Sequence, residues 1–249
     1  MSNNQALPFL KTDSAITVFF GANDNHTVSK GDTRYKQVVA AIRDNLWDSL
    51  RGILDVKNRL VNESNGRIYL VNGVLQSDLY VVPAMLGRRI VQLYHEGLST
   101  DSYIRFLENV NENPDPCAVE ETYGFIEHCN LPITPDGCFL AYKMVTSDFL
   151  DIYTKSVDNS VGQIVTMERD DVDSDCNRTC SSGLHFCSEG YLGKYGSERH
   201  DQIVIVKINP RDVVSIPVDY KFAKGRCCRY EVVDTIEWSG RLKDTYLDA

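Results

Sequence analysis

From Val38 to Leu54 the apolar positions Val38, Val39, Ile42, Leu46, Trp47, Leu50, Ile53 and Leu54 recur at three- and four-residue steps, the period of one buried helix face. This pattern predicts a single continuous helix, with Asp32 or Thr33 capping its first amides. Ahead of it, Ile16 to Phe20 reads as a short strand closed by the turn-rich run Gly21 to Asn25, after an irregular polar opening. Beyond it, Arg67 to Val71 and Val74 to Leu75 flank Asn72-Gly73, a pair that tolerates the positive φ angles of a tight hairpin turn. Three more helices are expected: Ala84 to Glu96 ended by Gly97, Asp101 to Glu112 ended by Pro114, and Pro116 to His128. In the last, Asp115 can cap, Pro116 suits the first turn, and Val119, Tyr123 and Ile126 form the apolar face.

Asn130 to Gly137 carries two prolines and an Asp-Gly, which interrupts any regular element and suggests a domain boundary. The pattern then changes to short runs with strand character: Cys138 to Val145, Gln163 to Met167, Gly183 to Cys187, Gln202 to Ile208, Val213 to Ile216 and Arg229 to Ile236. The expected fold is α+β: an N-terminal helical region with a β-hairpin over residues 1–130, and a β-rich, split-sheet domain over residues 131–249.

Composition narrows the function. The 249 residues are 43% hydrophobic, enough for a real core, and carry 26 Lys+Arg against 35 Asp+Glu, a net charge of −9. An acidic chain is a poor tracker of nucleic-acid phosphates, so general nucleic-acid binding is disfavoured. The longest apolar stretch, Val81 to Gly87, holds about seven residues where a bilayer needs about 20, so no transmembrane segment is expected. The opening MSNNQALPFLK lacks the pattern of a secretory signal. Eight cysteines are too sparse for a disulfide scaffold and are expected to remain reduced.

Several constellations could carry chemistry. Cys176, Cys180, His185 and Cys187 lie within twelve residues, but only one pair has the spacing of a zinc knuckle, and the preferred reading makes Cys187 and Cys227 or Cys228 small buried hydrophobes. Asp171, Asp173, Asp175 and Asn177 echo a calcium loop, yet Cys176 stands where that loop needs glycine and Ser182 where it needs glutamate. His185 and Cys187 sit too far apart along an ideal strand for a thiolate–imidazolium pair. The remaining histidines, His26, His95, His128 and His200, read as surface residues. Lys221, Lys224, Arg226 and Arg229 gather enough positive charge to hold one small anion. No metal, cofactor or catalytic residue is assigned.

The run Leu131-Pro-Ile-Thr-Pro-Asp-Gly-Cys-Phe-Leu-Ala-Tyr-Lys143, the segments Asp158-Asn-Ser160 and Cys180-Ser-Ser-Gly-Leu-His-Phe-Cys187, and the runs Pro210-Arg-Asp-Val-Val-Ser-Ile-Pro217 and Cys228-Arg-Tyr-Glu-Val232 resemble the rIIB-like family of tailed-phage proteins. The resemblance implies a viral protein in the host cytoplasm, or peripheral at the inner membrane, linked to rapid lysis and to resisting prophage exclusion. It also implies an rIIA-type companion protein, and leaves homo-oligomerisation open. A weaker likeness connects the strands ending in Tyr142-Lys143, at Gly183 to Cys187 and at Arg229 to Asp234 with the ADP-ribosyltransferase fold. That likeness places Tyr142, His185 and Arg229 where a nucleotide would bind, and reaches the catalytic Glu only through Glu231 with a two-residue slip. A guanidinium there would repel oxocarbenium charge and suit a phosphate. The expectation is therefore non-catalytic binding of a protein or a small nucleotide ligand, with Tyr142, Lys143, His185, Arg226 and Arg229 as candidate ligand residues.

Overall fold

The computed structural model describes residues 6–22, 24–32, 34–54, 68–71, 74–96, 98–192, 202–218 and 223–236. Thr33, the Asn72-Gly73 turn, Gly97, His200 and Lys221 lie outside the described residues. Two compact units divide between Asp101 and Ser102.

In the first unit, β1 (Phe9–Lys11), β2 (Ala15–Gly21) and β3 (Asp24–Ser29) form an antiparallel sheet in that order. The polar opening thus contains a strand, and the expected turn after Phe20 leads directly into another, in which Val28 is the buried position. The single helix expected from the apolar stripe is two: α1 (Tyr35–Arg43) and α2 (Trp47–Leu54). The break follows from Asp44-Asn45, because Asn45 takes a left-handed conformation at φ 55° that ends α1. Asp32 does not cap α1; its carboxylate accepts from the Arg34 backbone N–H and clamps the Arg34 guanidinium at 2.6 Å. Ile16, Val18, Val28, Val38, Leu50 and Leu54 close this core. β4 (Tyr69–Val71) and β5 (Val74–Gln76) pair as the predicted hairpin, with Leu70 opposite Leu75, and α3 (Ala84–His95) follows.

The second unit holds α4 (Asp101–Asn111), whose first residue lies at the division, and α5 (Pro116–Cys129). Asp115 caps α5 by accepting from the Cys117 N–H at 2.9 Å, and Asn130 ends it in a left-handed conformation. The strands are β6 (Phe139–Val145), β7 (Ile164–Thr166), β8 (Leu184–Cys187), β9 (Gln202–Ile208), β10 (Val213–Ser215), β11 (Lys224–Cys227) and β12 (Arg229–Ile236), with a short helix α6 (Glu189–Leu192) after β8. They form one antiparallel sheet ordered β10-β11-β8-β6-β9-β12-β7. The ladder between β6 and β8 is short, with Tyr142 opposite Cys187 as its paired position.

Strand alternation gives the sheet two faces. On one, Phe139 and Phe186 meet Phe125 of α5 in a triangle of edge-on rings 5.5–6.1 Å apart. Fully buried aromatic contacts of this kind add about 0.5–1.5 kcal/mol each beyond the area they bury. Gly225 permits the arrangement, since a Cβ there would come within 2.3 Å of the Phe186 ring and 2.5 Å of Ile216. On the other face, Cys187, Leu192, Ile203 and Ile236 form a second cluster with Tyr142 and Tyr191 against it. The Asp136-Gly137 turn, within the segment expected to separate domains, lies inside the second unit: Asn109 of α4 donates to the carbonyls of both residues at 3.0 Å. Gly137, at φ 76°, approaches the Arg105 backbone too closely for any side chain.

Candidate anion-binding cleft

The candidate ligand residues fall in different surroundings. Arg226, directly opposite His185 in the β8–β11 ladder, is fully buried. Its guanidinium donates to the carbonyls of Asp173, Asp175 and Arg178 at 2.7–2.8 Å and to the Ser215 hydroxyl at 3.2 Å. The acidic stretch that echoes a calcium loop is therefore folded around a guanidinium through its carbonyl oxygens. The Asp173 carboxylate turns inward to its own loop, accepting from the Ser181 hydroxyl, the Asp175 N–H and Arg178, and these bonds hold it down to about 2.

Lys143 lies behind the strand that carries His185. Its ammonium donates to the His185 carbonyl at 3.1 Å and sits 5.6 Å from the centre of the Tyr230 ring. Here a side chain supplies a donor beside the short β6–β8 ladder. No described carboxylate forms an ion pair with Lys143, and burial pushes its proton affinity down. Tyr142 packs into the cluster around Cys187, and burial, followed by the Glu189 charge, raises its phenol.

Arg229 is elsewhere. β8 and β12 are three strands apart, and the register aligns His185 with Met144, Ile203 and Ile236 at the opposite end of β12. At ordinary strand spacing and rise, roughly 25 Å separates the two backbones. Arg229 is exposed, whereas Glu231, the carboxylate a transferase would need, is bound to Lys207 at 2.9 Å. The structure thus associates His185, Lys143 and Arg226 and leaves Arg229 apart.

Around His185 is a cleft of about 200 Å³. Tyr153 comes from the loop after β6; Thr179, Cys180 and Ser181 from the loop held by Arg226; Tyr191 from α6; and Lys224 from β11. Lys224 is 4% exposed and its ammonium lies 5.3 Å from the centre of the Tyr191 ring, while Tyr153 is 77% exposed at the rim. The described residues lining this cleft include no carboxylate. Burial, then the charges of Lys143, Arg226 and Lys224, press the His185 imidazole down to about 4, so at neutral pH it is an uncharged donor and acceptor in a positive field. Among the lining residues missed by sequence reasoning, Lys224 was visible as part of a basic group; Tyr153, Thr179, Cys180, Ser181 and Tyr191 arrive from three segments with no shared spacing.

The cysteines have other roles. Burial raises Cys187 to about 12, Cys227 donates to the Leu184 carbonyl at 3.5 Å, and no described cluster of His, Cys, Asp or Glu is arranged to hold a metal ion. In the first unit, Val74, Leu75, Val82, Pro83 and Val91 line an apolar groove of about 630 Å³ between β5 and α3. None of the described helices is long and apolar enough to cross a membrane.

An α+β protein with a seven-stranded antiparallel sheet and a small cleft lined by His185 and Lys224 is what the fold and site define. The family model for bacteriophage T4 protein rIIB matches residues 4–241, and the chain belongs to that family. Protein rIIB of Enterobacteria phage T4 is 37% identical over 195 residues, which is 78% of this chain and 62% of that relative's length. The chain therefore aligns with less than two thirds of that relative. No solved structure matches the chain.

Proposed function

We propose that this phage protein acts by non-catalytic binding, capturing a small anionic, nucleotide-derived ligand in the cleft beside His185, and that this capture protects infection from a host or prophage defence. The observation that carries the reading is that Lys224 and His185 line one cleft, with the charges of Lys143 and Arg226 close enough to press that imidazole down. A charge-assisted bond from an ammonium to an anion is stronger than a neutral one, and more so where water is scarce. Binding without turnover fits the distance of Glu231 from the cleft and its ion pair with Lys207.

The test is thermal unfolding across a panel of inorganic phosphate, nucleotides and chloride controls, with Lys224→Met and His185→Phe as variants. A ligand that binds only the native state raises the melting temperature by mass action. A rise lost in both variants supports the reading, and an unchanged melt across the panel rejects it.

A second reading, docking of an rIIA-type companion, is favoured by the apolar groove on the first unit, where Val74 is 58% exposed. Co-expression with such a companion tests it: co-purification that Val74→Asp abolishes supports docking, and purification of the two proteins apart removes it.

A further inference from the structure

We propose that β7, the open edge of the seven-stranded sheet, is a homodimer interface on which a second copy of this chain pairs antiparallel about a two-fold axis at Val165.

The ladder between β7 and β12 fixes which main-chain groups are free. The Met167 N–H donates to the Cys228 carbonyl and the Gln163 carbonyl accepts from the Val232 N–H, so residues 163, 165 and 167 turn their main-chain groups toward β12. Ile164 and Thr166 turn theirs outward, and no described backbone group bonds to them. Ile164 is 52% exposed and Val161 53%, an apolar rim beside that outward row. From Val161 to Met167 the chain reads Val-Gly-Gln-Ile-Val-Thr-Met, without a charge or a proline. Charges and prolines are common means of keeping an edge strand from pairing.

The opposite edge of the same sheet is sealed. All of β10 is buried; Asn113 and Arg169 donate to the Val213 carbonyl, and the Glu121 carboxylate accepts from the Ile216 N–H just beyond the strand. Joining two copies through β7 therefore leaves a sealed β10 at each end of the combined sheet, and association closes at a dimer rather than running on into a fibre.

The open edge also fits itself. With Val165 on the axis, Ile164 stands opposite Thr166 of the second copy, and Thr166 opposite its Ile164. Each of these pairs can exchange both of its N–H to C=O bonds. The flanking charges agree with that register. On β12, Arg229 lies opposite Thr166 and Glu231 opposite Ile164, with all four side chains on one face. The pairing lines up Glu231 of one copy with Arg229 of the other, so each row carries opposite charges. A net charge of −9 on each chain makes copies repel in general, and an uncharged seam flanked by crossed charges adds nothing to that repulsion. A strand of three residues makes a small contact, so the dissociation constant should be roughly 0.1 mM.

Sedimentation of the full chain from micromolar to millimolar concentration, with amide exchange read residue by residue, tests the interface. The expected result is a monomer–dimer equilibrium in which the Ile164 and Thr166 amides gain protection as concentration rises, while Val165, bonded within the sheet, is protected throughout. Thr166→Pro removes an outward N–H and leaves the ladder to β12 intact, and should weaken the dimer about tenfold or more. Ile164→Lys keeps every backbone group, sets an ammonium in the row of the second copy's Arg229, and should weaken the dimer as well. A monomer at millimolar concentration, or a dimer that ignores both substitutions and leaves the Ile164 and Thr166 amides exchanging freely, would overturn the proposal. Protection of those two amides that arises only when a different protein is added would also overturn it, and would give the edge to another partner.

Discussion

Acidification should destabilise the second unit through His185, by an amount that can be worked out. The imidazole titrates near 6.5 in an unfolded chain and is held at about 4 in the native one, first by burial and then by Lys143, Arg226 and Lys224. Between those values the unfolded chain takes up a proton that the native chain refuses, so stability falls as pH drops from 6.5 toward 4 and the loss levels off below 4. A gap of about 2.5 units at 1.36 kcal/mol each gives a loss of about 3 kcal/mol. Carboxylates held low in the native state also lose stability on acidification, so the informative quantity is a difference. Chemical denaturation of the natural chain and of His185→Gln at pH 7 and pH 4 should show the variant losing about 3 kcal/mol less. Lys143→Met, which removes the charge that weighs most after burial, should narrow that gap by raising the native His185 value. Equal losses in the natural chain and His185→Gln, or a His185 ring titrating near 6.5 by NMR, would refute the argument.

Arg226→Met removes four hydrogen bonds and strands three carbonyls, for a loss of about 3–5 kcal/mol in denaturation, with faster amide exchange across residues 173–181. Gly225→Ala drives a methyl into Phe186 and Ile216, costing about 1–3 kcal/mol, and Phe186→Leu in the same chain should recover part of that loss. Gly137→Ala meets the Arg105 backbone at 2.5 Å from a left-handed φ, so it should lower stability more than Gly225→Ala, with no side-chain rescue available. Tyr230→Phe leaves the Oδ1 of the fully buried Asn159 without its hydroxyl donor, a loss of about 1–3 kcal/mol by calorimetric melting.

Much of the second unit was legible because its local signals agree with its packing. Asp115, Pro116 and the apolar positions of α5 specify one helix, and β6, β9 and β12 carry runs that a buried sheet requires. The failures have physical causes. β11 reads Lys-Gly-Arg-Cys, which no strand pattern favours, yet all four residues are buried because Arg226 finds its partners in a distant loop and Gly225 makes room for Phe186. β3 carries Asp24, Asn25 and His26, and its strand state comes from pairing with β2 rather than from composition. One left-handed residue, Asn45, divides a stripe that periodicity alone reads as continuous. For the cleft, His185, Lys143 and Arg226 stood out by residue type, but their association with Tyr153, Thr179 and Tyr191, and their distance from Arg229, depend on strand order, which a linear pattern does not encode.

The central claim is that the ligand of this protein enters between β8, β11 and the loop held by Arg226. Two-dimensional NMR of the full chain during titration with uridine 5′-monophosphate tests it most directly. The account predicts saturable shifts at His185, Thr179, Tyr153 and Tyr191, with Thr166, Arg229 and Glu231 unmoved. Shifts centred on Arg229 and Glu231, or none at any residue up to millimolar nucleotide, would contradict it.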